Sequence, residues 1–387
     1  MSYAGGNRGG TEAIVAAEAL RAEQRTVHQR TLSVEAVLGA LPEAVDRVMG
    51  EAGLWDEETA AVAFLQAAGD SAEAVHLLRA HRSTLTRFAF SEPIEPDAIV
   101  LDRRICSAHR SPDGPQLLGS TVDYSPRLLR RSGEPDPLPP NDELLAAMAS
   151  AEARTSAEHP DRTPQRFTRY LAENNLLSPH SESGVDASGL EDPEPYDLAL
   201  QPVRLPASRS ALLSAMALAE TGALVGMWYR SITGPDGYTD ETVTVGEVRH
   251  GEVDLSVRHP HTGEALVIGQ VRMTECEAID HLNDRGEDPG KFTAGYGLAL
   301  GHNERKAISM AALDSAAHRI RGTALGDEME QSIMLTLDGL AANGFLEHLK
   351  MPHYVTFRSM MERAEAAQAV AVPPVSTEDD TREDYAE

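Results

Sequence analysis

Apolar residues recur at helical spacing through the first ninety positions. Ala13, Ile14, Ala17 and Leu20 follow Gly9-Gly10 and give a first helix with Thr11 as its cap. A second runs from Ser33 to about Glu51 with Val34, Val37, Leu38, Leu41, Val45 and Val48 inward, and Pro42 kinks or breaks it before Gly53 ends it. A third spans Asp56 to Ala68 and a fourth Ser71 to Phe88. From Glu92 the pattern changes to extended, proline-containing sequence, in which Arg103 and Arg104 precede Cys106 and at least one of the two arginines is expected to be paired or partner-bound. Residues 132 to about 197 are rich in Pro, Ser, Asp and Glu, with short helical patches near 144–153 and 167–177, and read as an insert or linker. Order resumes at Leu205 with apolar helices over 211–219 and 223–231. Alternating segments follow at 242–249, 252–258 and 265–273, with Gly251 and Gly263 at the turns of an antiparallel meander. Helices then span 303–321, 327–342 and 358–370.

The predicted class is α+β: a helical N-terminal layer, then a mixed, largely antiparallel sheet, then C-terminal helices. The expected domains are a helical region over 1–90, a β-type segment over 91–131, the acidic insert over 132–200, an α+β domain over 201–371 carrying the chemistry, and a disordered acidic tail over 372–387.

Chemistry concentrates between Met273 and Lys306. A strand ending near Met273 delivers Glu275 and Glu277, which at i and i+2 share one face of an extended chain. Gly295, Gly297 and Gly301 then form a glycine-rich loop ahead of a helix capped by Asn303 and opened by Glu304, Arg305 and Lys306. Backbone N–H groups at such a loop approach an anion, and the helix start adds partial positive charge. The stretch lacks both the P-loop ending and the dinucleotide-binding glycine spacing. Lysine usage adds to the anion reading: the chain has three lysines, Lys291, Lys306 and Lys350, and two of them bracket this loop. A close-packed turn without ligand is the alternative, as is a structural pairing of the two glutamates with Arg272 or Arg305. Further on, His348 and His353 flank a bend at Pro352 and offer two imidazoles for a metal ion, with further ligands needed from elsewhere.

A formal charge of −27 argues against nucleic-acid binding, which needs a basic surface. High Asp and Glu with few lysines fits a protein built for concentrated salt, and a KCl-rich cytoplasm is the expectation. Cys106 and Cys276 are the two cysteines, too few for a disulfide framework or for an iron–sulfur cluster held by this chain alone, and they fit a reducing cytoplasm. The N-terminus lacks an apolar core, so no signal peptide is expected, and the longest apolar stretch, 212–229, is broken by Glu220 and Gly222, so no membrane span is expected.

Several motifs, in order along the chain, resemble one family. They are Gly9-Gly10 with the following helix, AVDRVMGEAGL (44–54), AGDSAEAVHLLRAHRSTL (68–85), SEP (91–93), LDRRI (101–105), QLLGSTVDYSPRLL (116–129), MTECE (273–277), FTAGYGLALGHNERKA (292–307) and HLKMPHY (348–354). The chain resembles subunit PhnI of the bacterial carbon–phosphorus lyase core complex, with departures mainly in the acidic insert and the tail. The resemblance implies a cytoplasmic subunit of a large hetero-oligomer that includes a radical iron–sulfur subunit, and the exposed apolar helical faces of such a subunit point to a dimer within it. It implies Mg-ATP and an alkylphosphonate as substrates: adenine is displaced to give alpha-D-ribose 1-methylphosphonate 5-triphosphate, and the subunit alone is a nucleosidase with water as acceptor. It also implies a zinc or other divalent ion on His348 and His353, completed at a partner interface. The glutamates and the glycine loop with Arg305 and Lys306 are assigned on chemical grounds, as transition-state and triphosphate partners. Two other readings stand beside this one. One is a non-catalytic scaffold that presents the histidines to the radical partner; the other, a stand-alone metallohydrolase, lacks a supporting H-E-x-x-H or paired-Asp signature.

Overall fold

The structure, a computed structural model, describes residues 10–28, 32–94, 97–106, 165–178, 196–233, 243–282, 289–340, 342 and 354–371, with isolated positions 133, 146, 149 and 150. It divides into two compact units, residues 31–342 and residues 1–30 with 343–387. In the second unit the described elements are α1 (Thr11–His28) and α11 (Tyr354–Ala371). Both expose apolar side chains, Ile14, Val15 and Leu20 on the first and Phe357, Met360 and Met361 on the last.

The larger unit opens with α2 (Val34–Ala40), α3 (Pro42–Ala52), α4 (Glu57–Gln66) and α5 (Ser71–Thr84). The expected single helix through Pro42 is two, because proline cannot continue the hydrogen-bond ladder and instead sits at the first position of α3. Ser33, Asp56 and Asp70 cap α2, α4 and α5 by accepting backbone N–H bonds, and Gly53 closes α3 in the left-handed conformation at φ 66°. Val37, Val45, Val48, Met49 and Leu78 form the core of this layer.

A four-stranded antiparallel sheet follows, in the order β1 (Val100–Cys106), β2 (Thr244–Arg258), β3 (Ala265–Leu282) and β4 (Phe292–Leu300). The class is α+β as predicted, but two short strands expected on either side of Gly251 are one long strand. Gly251 lies inside β2 opposite Leu101, and a Cβ there would strike the Val100 carbonyl, so glycine serves the close pass of β1 and not a turn. Gly263, at φ 73°, does occupy the turn between β2 and β3.

Helix α6 (Phe167–Glu173) lies within the expected insert, and α7 (Arg209–Leu218), α8 (Thr221–Thr233), α9 (Glu304–Arg319) and α10 (Ala324–Thr336) complete the unit. A second core joins Leu212, Met216 and Leu224 to Met310, Leu313, Met329 and Ile333. On its other side α9 packs through Ala307 and Ala311 against Val248, Cys276, Ala278 and Ala299 of the sheet. Burial lifts the Cys276 thiol far above its ordinary pKa and leaves it a neutral packing residue. One sheet face is therefore covered by α9, through apolar packing and through buried polar contacts, His250 with Glu304 at 2.7 Å and the Ser315 hydroxyl donating to Asp280 at 3.0 Å. The opposite face carries a cluster of paired glutamates and arginines.

Candidate functional site

Strand alternation puts Glu247, Arg249, Glu275, Glu277 and Tyr296 on that second face, in direct register: Glu247 opposite Glu277, Arg249 opposite Glu275, and Glu277 opposite Tyr296. Glu275 and Glu277 thus share a face, and both are buried, at 3% and 5% exposure. They line a cleft of about 650 Å³. Ile94, Ile99, Met273 and Leu298 give it an apolar wall, while Arg166, Arg169, Arg209 and Tyr296 supply its polar side.

Each carboxylate has cationic partners. Glu275 Oε1 accepts from Arg166 Nη2 at 2.7 Å and from the Tyr296 hydroxyl at 2.8 Å. Its Oε2 accepts from Arg249 Nε at 2.9 Å and also from Arg249 Nη2. Glu277 Oε1 accepts from Arg166 Nε at 3.1 Å and from Thr168 Oγ1 at 2.7 Å, and its Oε2 accepts from the Thr168 N–H at 3.0 Å. Glu247 accepts from the Phe167 N–H and pairs with Arg104 at 2.8 Å. Three carboxylates and three guanidiniums form one charge-balanced cluster. Burial pulls the Arg166 pKa down, but the charges of Glu275 and Glu277 outweigh it and the net shift is upward. Burial, with Glu275 beside it, pushes the Tyr296 phenol well up, so Tyr296 stays a neutral donor.

The structural pairing of the glutamates that the sequence allowed does occur, with different arginines. Arg272 instead meets Asp46 and Glu57 and lies over the Trp55 ring. Arg249 and Glu247 carried a legible signal, opposite charges two apart on an alternating strand. Arg166 and Thr168 carried none, because they lie beyond a proline-rich stretch and reach the sheet only through tertiary folding.

The glycine-rich loop expected at 292–301 is strand β4. A Cβ on Gly295 or Gly297 would strike the carbonyl of Ala311 or Ala307, so these glycines let the strand press against the backbone of α9. Gly301, at φ 71°, is packed on the Asp46 carboxylate, whose Oδ2 accepts from the His302 N–H at 2.8 Å. The anion at this helix start is the protein's own aspartate. Asn303 does cap α9, accepting from the Lys306 N–H. Arg305 is half-buried on α9. Lys306, expected at a phosphate, is 0% exposed and donates to the Gly50 carbonyl at 3.2 Å. Its burial ties α9 to α3 and removes it from any surface ligand.

Burial lowers the Lys306 ammonium to about 8. The folded chain then gives up this proton at a lower pH than the unfolded chain, so between the two values stability rises with pH. Lys306→Met removes that component. In urea unfolding, the stability of Lys306→Met relative to wild type should fall by about 2 kcal/mol between about pH 7.5 and about pH 10. A difference that stays constant over this range would show that Lys306 does not titrate within the fold.

His348 and His353 lie outside the described residues. Among the described residues, no group of three or more His, Cys, Asp or Glu side chains is arranged to hold a metal ion, and no helix is long and apolar enough to cross a membrane.

An α+β chain with a buried, charge-balanced carboxylate face belongs to a recognisable class: residues 6–371 match the family described as Bacterial phosphonate metabolism protein (PhnI), and the chain belongs to that family. Its relatives are similar over most of their length. The Escherichia coli (strain K12) protein named alpha-D-ribose 1-methylphosphonate 5-triphosphate synthase subunit PhnI is 36% identical over 360 residues, covering 92% of this chain and 95% of its own. The Rhizobium meliloti (strain 1021) protein of the same name is 34% identical over 94% of this chain and 96% of its own. A putative C–P lyase subunit protein, HtxH, from Stutzerimonas stutzeri is 36% identical, with 95% of each chain covered.

Proposed function

We propose that this chain acts on the ribose of Mg-ATP. With partner subunits it transfers an alkylphosphonate to the anomeric carbon in place of adenine, giving alpha-D-ribose 1-methylphosphonate 5-triphosphate. Alone, it uses water as the acceptor and is a purine nucleoside triphosphate nucleosidase. Two relatives are named as subunits of this synthase. The observation that carries the reading is the pair Glu275 and Glu277, side by side on the floor of one cleft that Ile94, Ile99, Met273 and Leu298 also line.

Breaking an N-glycosidic bond builds positive charge on the ribose ring, and a fixed carboxylate beside the ring stabilises that charge more than it stabilises the neutral ground state. The wall of Ile94, Ile99, Met273 and Leu298 suits a flat purine. Arg169 and Arg209 line the cleft and offer cations to a triphosphate; Arg209 is held by Asp314 at 2.7 Å and Arg169 by Glu173 at 3.2 Å. This reading moves the triphosphate from the Arg305–Lys306 helix start to the cleft. A zinc or other divalent ion on His348 and His353, completed by a partner, and a cytoplasmic assembly with the radical iron–sulfur subunit belong to the same proposal.

A second reading, a scaffold that positions ligands for its partners, is favoured by one observation: arginine, tyrosine and threonine donors already occupy every oxygen of the two glutamates. Chromatography of the purified chain incubated with Mg-ATP in molar KCl separates the two. Free adenine and ribose triphosphate are expected. If no adenine appears, even with partner subunits and a phosphonate present, the glycosyl-transfer reading fails.

A further inference from the structure

The two glutamates differ in where their partners come from. Glu275 is held by Arg249 of β2 and Tyr296 of β4, both fixed in the sheet, and by Arg166 from outside it. The donors to Glu277 are Arg166 Nε and Nη2, the Thr168 hydroxyl and the Thr168 N–H. All belong to the short segment entering α6. That segment lies over the cleft floor and is anchored again by the Phe167 N–H on Glu247. Lifting one piece of backbone would leave Glu277 a bare carboxylate in the cleft, while Glu275 would keep both sheet partners.

We infer that Glu277 is the carboxylate that meets the ribose, that Glu275 is a positioning residue, and that residues 166–168 are a cover that substrate displaces. This rests on the glycosyl-transfer reading. The Arg166 guanidinium now lies against Glu277 where the reaction would develop its own positive charge, on the ribose ring. One cation replaces the other, so Glu277 is never left buried and unpaired. As substrate enters, Arg166 is freed to meet its phosphates.

The step balances without an added reagent. The C1′–N9 bond breaks with its electron pair going to the purine, and an oxygen of water or phosphonate bonds to C1′. With water as acceptor, Glu277 takes the proton that the attacking water loses, and that proton leaves as the purine N–H. With a phosphonate monoanion, its own proton serves. Arg249 and Tyr296 hold Glu275 rigid, and Glu275 in turn keeps Arg249 in place beside Glu247.

The test compares Glu277→Gln, Glu277→Asp and Glu275→Gln in the full chain, reading kcat and KM for adenine release together with the unfolding midpoint. Glu277→Gln is expected to lower kcat about a hundredfold or more with little change in KM, and Glu277→Asp to recover part of the loss. Glu275→Gln is expected to shift the unfolding midpoint and to lower kcat less than tenfold. Loss of kcat in Glu275→Gln with retention in Glu277→Gln overturns the assignment but leaves the glycosyl-transfer reading standing. Hydrogen exchange of the wild-type chain gives a readout that does not depend on any variant folding. The Phe167 and Thr168 amides, hydrogen-bonded to Glu247 and Glu277, should exchange faster when ATP is bound. Unchanged or slower exchange there, in a chain that releases adenine, overturns the cover.

Discussion

Arg249→Met is expected to destabilise the protein by about 3–5 kcal/mol, because it strips a buried carboxylate of its main fixed counter-charge. Arg249 is 5% exposed and meets Glu275 through Nε and Nη2, with Glu247 at 3.6 Å on its other side. Without it, the cluster holds three carboxylates against two guanidiniums in a site that water reaches poorly. Arg166 cannot substitute for it, since it already spans Glu275 and Glu277. The double variant Arg249→Met/Glu275→Met should recover most of the loss, since removing both charges removes the desolvation cost along with the attraction. Equilibrium urea unfolding of both variants checks this. A double variant as unstable as the single would show that the cost lies in packing and not in the orphaned carboxylate.

Gly297→Ala is expected to cost about 3 kcal/mol or more, at the upper end of overpacking effects. The added Cβ would meet the Ala307 carbonyl and the Ala311 nitrogen, backbone atoms of a helix packed on both sides. No flexible side chain is there to yield, so the sheet and α9 must move apart. The same change at Gly269, in the neighbouring strand β3 but with nothing within 4 Å, should lie within about 0.5 kcal/mol of wild type. Comparing the two unfolding midpoints separates close packing from the general effect of filling a glycine in a strand. Equal costs at both positions would remove the packing explanation for the glycines of β4.

Local chemistry, written in adjacent residues, was partly legible: Asn303 was expected to cap α9 and does, whereas Thr11, expected as the cap of α1, is its first residue. Ser33, Asp56, Asp70 and Asn303 cap the helices they precede, because a short polar side chain two or three residues before the first free N–H groups needs nothing else to satisfy them. The α+β class followed from the switch between helical and alternating periodicity. Glu275 and Glu277 share a face because the period of a strand is two. The pairing expected of Arg103 or Arg104 is made by Arg104 on Glu247.

What lay beyond the sequence depends on groups distant along the chain. Glycines before a helix look alike whether they cradle a phosphate or admit a neighbouring backbone. Here α9 occupies the space, and the near-absence of side chains along Gly295 and Gly297 is a packing requirement. A rare lysine looks functional until its surroundings are known, and Lys306 turned out to be a buried tie to Gly50. Arg166 and Thr168, more than a hundred residues before the glutamates they grip, sit in sequence that resembles a linker. By itself the sequence determined the α+β class, the cap at Asn303 and the shared face of Glu275 and Glu277, because those depend on neighbours within a few residues. The tertiary structure alone decided which charges meet, which glycines touch backbone and which carboxylate is covered, because burial and long-range pairing set the electrostatics of the site.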